Sequence, residues 1–185
     1  MIIREHYLAK IRPFYDSDLI KIITGIRRCG KSVIKDQIEN ELKATGKKTL
    51  SLDFETKAVS SLITTADELH DYVMEHVRDK EKTYVFFDEV QIIPDWNMAC
   101  KSLRKENISL FITGSNSKLL SKEFTKELSG RYISFRIRPF VYKELQQYAT
   151  QLNRKYSLAD YLLYGGFLKY LSLLMLRSGF ITLTT

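Results

Sequence analysis

Between an apolar run, Leu19–Thr24, and an amphipathic stretch, Lys31–Thr45, eight residues read Gly25-Ile26-Arg27-Arg28-Cys29-Gly30-Lys31-Ser32. This is G-x-x-x-x-G-K-[ST] without a gap, in the strand-before, helix-after setting that gives the pattern its meaning. The glycines let the chain curl so that successive N–H groups converge on phosphate oxygens, and the following helix N-terminus adds partial positive charge. The expected nucleotide-binding run is Gly25, Ile26, Arg27, Arg28, Cys29, Gly30, Lys31, Ser32 and Val33. Lys31 is expected to reach the β- and γ-phosphates and the Ser32 hydroxyl to ligate Mg²⁺. Arg27 and Arg28 count here through their backbone N–H groups. Cys29 reads as a filler whose thiol would make nucleotide binding sensitive to alkylation.

A second constellation follows from Tyr84-Val85-Phe86-Phe87-Asp88-Glu89. An apolar strand that ends in an acid delivers Asp88 to the carboxyl edge of a sheet, beside the phosphate loop, where it can hold Mg²⁺ or its water. Glu89, one residue on, is positioned to orient an attacking water or take its proton. A fourth apolar run ends in Thr113-Gly114-Ser115-Asn116. Asn116, and after it Ser115, are candidates to contact the water or the γ-phosphate, or else they form only a turn into the next helix. Arg131 precedes a fifth strand and is a candidate arginine finger, for its own site or a neighbour's, against the reading of a plain surface arginine.

Five strands are expected: Leu19–Thr24, the alternating Leu50, Leu52 and Phe54, Tyr84–Phe87, Leu110–Thr113, and Tyr132–Ile137. Helical patterns separate them. Thr65-Ala66-Asp67-Glu68 is a capping box ahead of Leu69, Val73 and Val77 on one face. Pro94 and Asp95 precede Trp96, Ala99, Cys100 and Leu103 at i, i+3, i+4 and i+7. Strands alternating with helices give an α/β fold: a five-stranded, mainly parallel sheet between two helical layers. The organisation expected is an N-terminal helical segment over 1–15, a phosphate-binding core over 16–138, and a partial helical lid or the start of a further domain over 139–185. The last residues, 181–185, read as a strand with no partner, as if the chain stops inside a domain. The tyrosines Tyr142, Tyr148, Tyr156, Tyr161 and Tyr164 read as packing of a small core.

Composition bounds the remaining classes. With 44% hydrophobic and 28% charged residues in 185, the chain is globular and long enough to fold without staples. Two cysteines, Cys29 and Cys100, suit neither a disulfide framework nor a zinc site, which points to a reducing compartment. With charge already at Arg4 and Glu5 and no apolar run of spanning length, a cytoplasmic location and no membrane partner are expected. Residues 1–100 carry net −2 and residues 101–185 net +9. A basic half attracts nucleic acid, draws in a polyphosphate, or is merely a solvated surface. No [NT]KxD base-reading motif is present, so ATP is the default nucleotide.

With these motifs placed, the chain resembles the AAA+-type P-loop ATPases of bacteria and archaea. The likeness rests on Ile22–Ser32, on Phe87-Asp88-Glu89-Val90-Gln91, on Phe111–Ser117, and on Leu128-Ser129-Gly130-Arg131-Tyr132 running into Arg138-Pro139-Phe140. The resemblance implies that the fourth strand lies between the first and third, which would put Ser115 and Asn116 between the phosphate loop and Glu89. It also implies Lys31 and Ser32 on nucleotide and metal, Asp88 on metal and Glu89 on water. A homo-oligomer is a candidate assembly, through Arg131 acting on a neighbouring subunit. Members of that family typically continue well past Tyr164-Gly165-Gly166-Phe167. The function expected is Mg²⁺-dependent ATP hydrolysis that rearranges a partner. The alternative is a nucleotide-gated binding module, DNA among its ligands, with little hydrolysis.

Overall fold

This computed structural model describes residues 2–77, 81–115 and 128–167, with Ser115 described in its backbone alone. The described chain divides into two compact units, one spanning Ile3–Ile137 and the other joining Ile2 to residues from Arg138 onward.

The larger unit is built on a parallel sheet of β1 (Ile20–Gly25), β2 (Lys48–Asp53), β3 (Thr83–Asp88), β4 (Ile108–Ser115) and β5 (Tyr132–Arg136), in the order β2-β3-β4-β1-β5. The fourth strand therefore lies between the first and third, as the resemblance implies. Register is set by pairs such as Ile22↔Ile112, Ile22↔Ser134, Phe87↔Ile112 and Leu52↔Phe87. Every residue of β3 is buried, which explains why its sequence shows no polar alternation: both faces of a parallel sheet are covered.

Alternate residues feed two cores. Ile20, Ile22, Val85, Phe87, Leu110 and Ile112 pack with α4 (Ala66–His76) and α5 (Trp96–Leu103), burying Leu69, Val73, Trp96, Ala99, Cys100 and Leu103. Ile23, Tyr84, Phe86 and Phe111 pack on the other side with α1 (Glu5–Ile11) and α2 (Lys31–Ala44), through Leu8, Ile11, Ile34, Ile38 and Leu42. The helical spacing read from the sequence is the buried spacing in both layers. The expected capping box of α4 is formed: Glu68 N–H donates to Thr65 Oγ1 at 3.2 Å, and Thr65 N–H to Glu68 Oε2 at 3.1 Å. A short helix, α3 (Lys57–Ser60), which the sequence pattern does not suggest, follows β2. Arg12 ties α1 to α2, donating Nε to Glu41 Oε2 at 3.0 Å and Nη2 to Glu41 Oε1 at 2.6 Å.

In the smaller unit, α6 (Tyr142–Gln151) and α7 (Leu158–Tyr164) surround a cluster of Ile2, Phe140, Leu145, Ala149 and Tyr156, with Tyr142, Tyr148 and Tyr161 packed against it. These tyrosines are core-forming residues. Ser157 caps α7, accepting from Asp160 N–H at 3.1 Å. The strand expected at 181–185 lies outside the described residues. Among the described residues, no helix is long and apolar enough to cross a membrane.

Candidate functional site

Parallel strands all end at one edge, and the strand order decides which ends are neighbours. Gly25, the last residue of β1, pairs in register with Ser115 of β4; Asp53 of β2 pairs with Asp88 of β3. The loop after β1, the acidic end of β3 and the tip of β4 therefore share one edge. Asn116, the first candidate at that tip, lies outside the described residues.

The loop from Gly25 to Gly30 is held by close contacts at its base. A Cβ on Gly25 would sit 2.5 Å from the Ile137 carbonyl oxygen and 2.6 Å from Cys29 Sγ, so no larger residue fits. Gly30 adopts φ 96°, ψ 27°, a left-handed conformation that only glycine enters without cost, and it opens α2 at Lys31. Ile26, Arg27 and Arg28 are exposed; Cys29 is fully buried. Burial pushes the Cys29 thiol up, against the pull of Lys31 and Arg4. A buried, protonated thiol is a poor nucleophile, so the expected alkylation sensitivity is corrected to an inert packing role. Arg4, also buried, donates Nη1 to the Cys29 carbonyl at 3.1 Å and its backbone N–H to Gln37 Oε1 at 3.2 Å, bracing loop and helix together.

At the first turns of α2, Lys31 is buried, Ser32 exposed and Val33 half-buried. Lys31 Nζ lies 3.6 Å from Glu89 Oε1, joining the phosphate-loop lysine to the acidic doublet. Asp88 is buried; its Oδ1 accepts from the Thr113 hydroxyl, and its Oδ2 lies 3.9 Å from Lys35 Nζ. Glu89 leaves the sheet at φ 55°, ψ 39°, and its N–H donates to the Thr113 carbonyl at 3.2 Å. Glu89 Oε2 accepts from Gln91 Nε2, and Gln91 Oε1 is buried without a hydrogen-bond partner among the described residues.

The sequence alone gives no role to four of these side chains, Arg4, Lys35, Gln91 and Thr113. Lys35 carries a signal, standing one helical turn after Lys31, and Gln91 and Thr113 stand inside the sequence motifs, but their contacts, like those of Arg4, show only in three dimensions. Arg131 is elsewhere. Its carbonyl accepts from Ile20 N–H at 3.0 Å, at the start of β1. Five residues of strand, ~17 Å at ~3.3 Å each, separate that level from Gly25. A role for Arg131 at its own phosphate loop is therefore corrected: the two lie at opposite edges of the sheet.

Among the described residues, no three His, Cys, Asp or Glu side chains gather as a metal cluster. The fit to Mg²⁺ rests on the donor set beside the loop, which is all oxygen: the Asp88 carboxylate and the Ser32 hydroxyl at the first turn of α2. Hard oxygen donors in small number, completed by phosphate and water, are what Mg²⁺ takes.

A five-stranded parallel sheet in this order, with a glycine loop feeding a helix beside an acidic strand end, is an AAA+ P-loop nucleotide-binding fold. The AAA domain family matches residues 17–146, and the chain belongs to it. An uncharacterized protein of Haemophilus influenzae is 36% identical over 177 residues, covering 90% of this chain and 44% of that protein. Another, from Methanocaldococcus jannaschii, is 32% identical over 166 residues, covering 89% of this chain and 36% of its own. The chain thus spans less than half the length of these relatives. The replication initiator DnaA, solved with AMPPCP and single-stranded DNA, superposes with a TM-score of 0.64 at 14% identity, covering 97% of this chain and 63% of that one. At that identity the likeness is one of fold.

Proposed function

We propose that this domain binds ATP with Mg²⁺ and hydrolyses it, using the turnover to rearrange a partner. The observation that carries the reading is the Lys31–Glu89 pair at 3.6 Å: the loop's lysine and the acid next to Asp88 meet at the mouth of the loop. In the proposed site the N–H groups from Gly25 to Val33 cradle the phosphates and Lys31 compensates β/γ charge. Ser32 and Asp88 would hold Mg²⁺, which when bound neutralises charge on the phosphate oxygens. Glu89, once Lys31 turns to phosphate, has a carboxylate oxygen released to orient water and accept its proton. Gln91 and Thr113 fix the two carboxylates in place. Ser115, paired in register with Gly25, would contact the γ-phosphate or the attacking water. Arg131, at the far edge, serves only a neighbouring molecule.

The test is ATP binding and turnover in two variants. Lys31→Ala is expected to abolish binding of ATP by calorimetry. Glu89→Gln is expected to bind ATP as wild type does while turnover falls ~10²-fold, the scale of a lost general base. Equal turnover in wild type and Glu89→Gln, with ATP still bound, would replace hydrolysis by the nucleotide-gated binding reading.

A further inference from the structure

The helix after the phosphate loop aims two ammonium groups at the sheet edge. Lys31 and Lys35 are four residues apart and share a face of α2. The first meets Glu89, as described; the second meets Asp88. Lys35 is about as buried as Asp88: their side chains are 9% and 7% exposed. Its Nζ lies 3.1 Å from Asp36 Oδ1, donates to Ser51 Oγ on β2 at 3.3 Å, and stands 3.9 Å from Asp88 Oδ2. The remaining Asp88 oxygen is taken by the Thr113 hydroxyl. A lysine stem laid under a helix, with its head held by three side chains, is a built feature.

From this geometry we infer that Lys35 is a positioning residue that acts as a resident counter-cation for Asp88 and competes with Mg²⁺ for that carboxylate. The inference rests on the nucleotide reading above and deepens it. A carboxylate at an acidic sheet edge, with Asp53 in register beside it, would repel a triphosphate and attract a divalent cation strongly. A fixed positive charge about 4 Å away, partly shielded from water, offsets both effects. The chain's own cation thus lets ATP bind with less dependence on Mg²⁺, and Mg²⁺ is held less tightly than the acids alone would hold it. Lys31 does not substitute for it, because its partner is Glu89.

The experiment measures the affinity of a fluorescent ATP analogue, mant-ATP, in EDTA and across a Mg²⁺ titration. Wild type, Lys35→Met and Lys35→Arg are compared, with Lys35→Gln replacing the methionine variant if that one does not fold. Loss of the charge is expected to weaken binding in EDTA, to lower the Mg²⁺ midpoint, and so to raise the ratio of Mg²⁺ to EDTA affinity about tenfold or more. Lys35→Arg, which keeps the charge, is expected to stay within about threefold of wild type. A neutral variant whose two affinities fall together, leaving the ratio unchanged, assigns Lys35 a packing role and overturns the inference while nucleotide binding stands. Wild type that binds mant-ATP under neither condition overturns the nucleotide reading, and this inference with it.

Discussion

Replacing Gly25 with alanine tests whether the base of the phosphate loop is as closely built as it looks. The new Cβ would lie 2.5 Å from the Ile137 carbonyl oxygen and 2.6 Å from Cys29 Sγ, about 1 Å inside the ~3.5 Å at which such atoms rest in contact. Neither neighbour yields easily. Ile137 is pinned by its N–H to the Thr24 carbonyl at 2.7 Å, and its side chain is buried. Cys29 is fully buried, and its carbonyl is held by Arg4. Forcing one extra methyl into a packed site of this kind costs ~1–3 kcal/mol, and the upper end applies where the obstacle is backbone. A loss of ~3 kcal/mol lowers the folded-to-unfolded ratio ~150-fold, with 1.4 kcal/mol per tenfold. The measurement is urea unfolding at pH 7 beside mant-ATP titration. Gly46→Ala serves as the control: it meets no atom within 4 Å and pays only for its φ of +74°, about 1 kcal/mol. If strand β5 gives way, stability falls; if the loop gives way, nucleotide affinity falls. Gly25→Ala within ~0.5 kcal/mol of wild type, the surface-substitution range, and with unchanged affinity would refute the argument.

Two further outcomes are expected. Lys21, fully buried on β1 with Nζ donating to Ser109 Oγ at 2.7 Å and Ser17 O at 3.1 Å, is pushed down to about 7 by burial. Between about pH 7 and its ordinary 10.5 the unfolded chain binds the extra proton, so stability on this account rises with pH across that window and the full penalty persists below pH 7. Lys21→Met should then be ~1–3 kcal/mol more stable than wild type at pH 6 by urea unfolding, with the gap narrowing by pH 9; a gap that does not change with pH would sink it. Arg131→Ala should leave mant-ATP affinity intact and convert a steeper-than-linear rise of ATP turnover with protein concentration into a linear one. Loss of affinity in dilute solution would place Arg131 back at its own site.

The legible parts of this chain were those written in local pattern. Helices α2, α4 and α5 follow from apolar spacing and from the Thr65–Glu68 box, and β3 from an unbroken apolar run. Strand ends were less so. β2 runs Lys48–Asp53 because its outer residues pair with Thr83 and Tyr84, a long-range fact that the alternation of Leu50, Leu52 and Phe54 does not contain. Phe54 falls beyond the strand, with its N–H on the Asp88 carbonyl. The same limit applies at the site. The phosphate loop and the acidic doublet are each contiguous in sequence and so legible there; the side chains that brace them come from 25 residues away, Arg4 to Cys29 and Thr113 to Asp88.

How both acids of the doublet come to face α2 is the point at which local geometry decides the chemistry. Successive residues of an extended strand point to opposite faces. On β3, Tyr84 and Phe86 lie in the core on the α2 side and Val85 and Phe87 in the other. Asp88 continues the first set and meets Lys35. Glu89, left extended, would follow Phe87 to the far face, away from Lys31. The chain instead turns at Glu89 into the left-handed region, a conformation that costs a residue with a side chain about 1 kcal/mol or more. The turn is held by the Glu89 N–H on Thr113 and sends Val90 into the opposite core in its place. Consecutive acids can therefore meet consecutive turns of one helix, Lys35 against Asp88 and Lys31 against Glu89. The Asp-Glu order in the sequence supplies the two carboxylates. The bend after the first of them is what makes them one site.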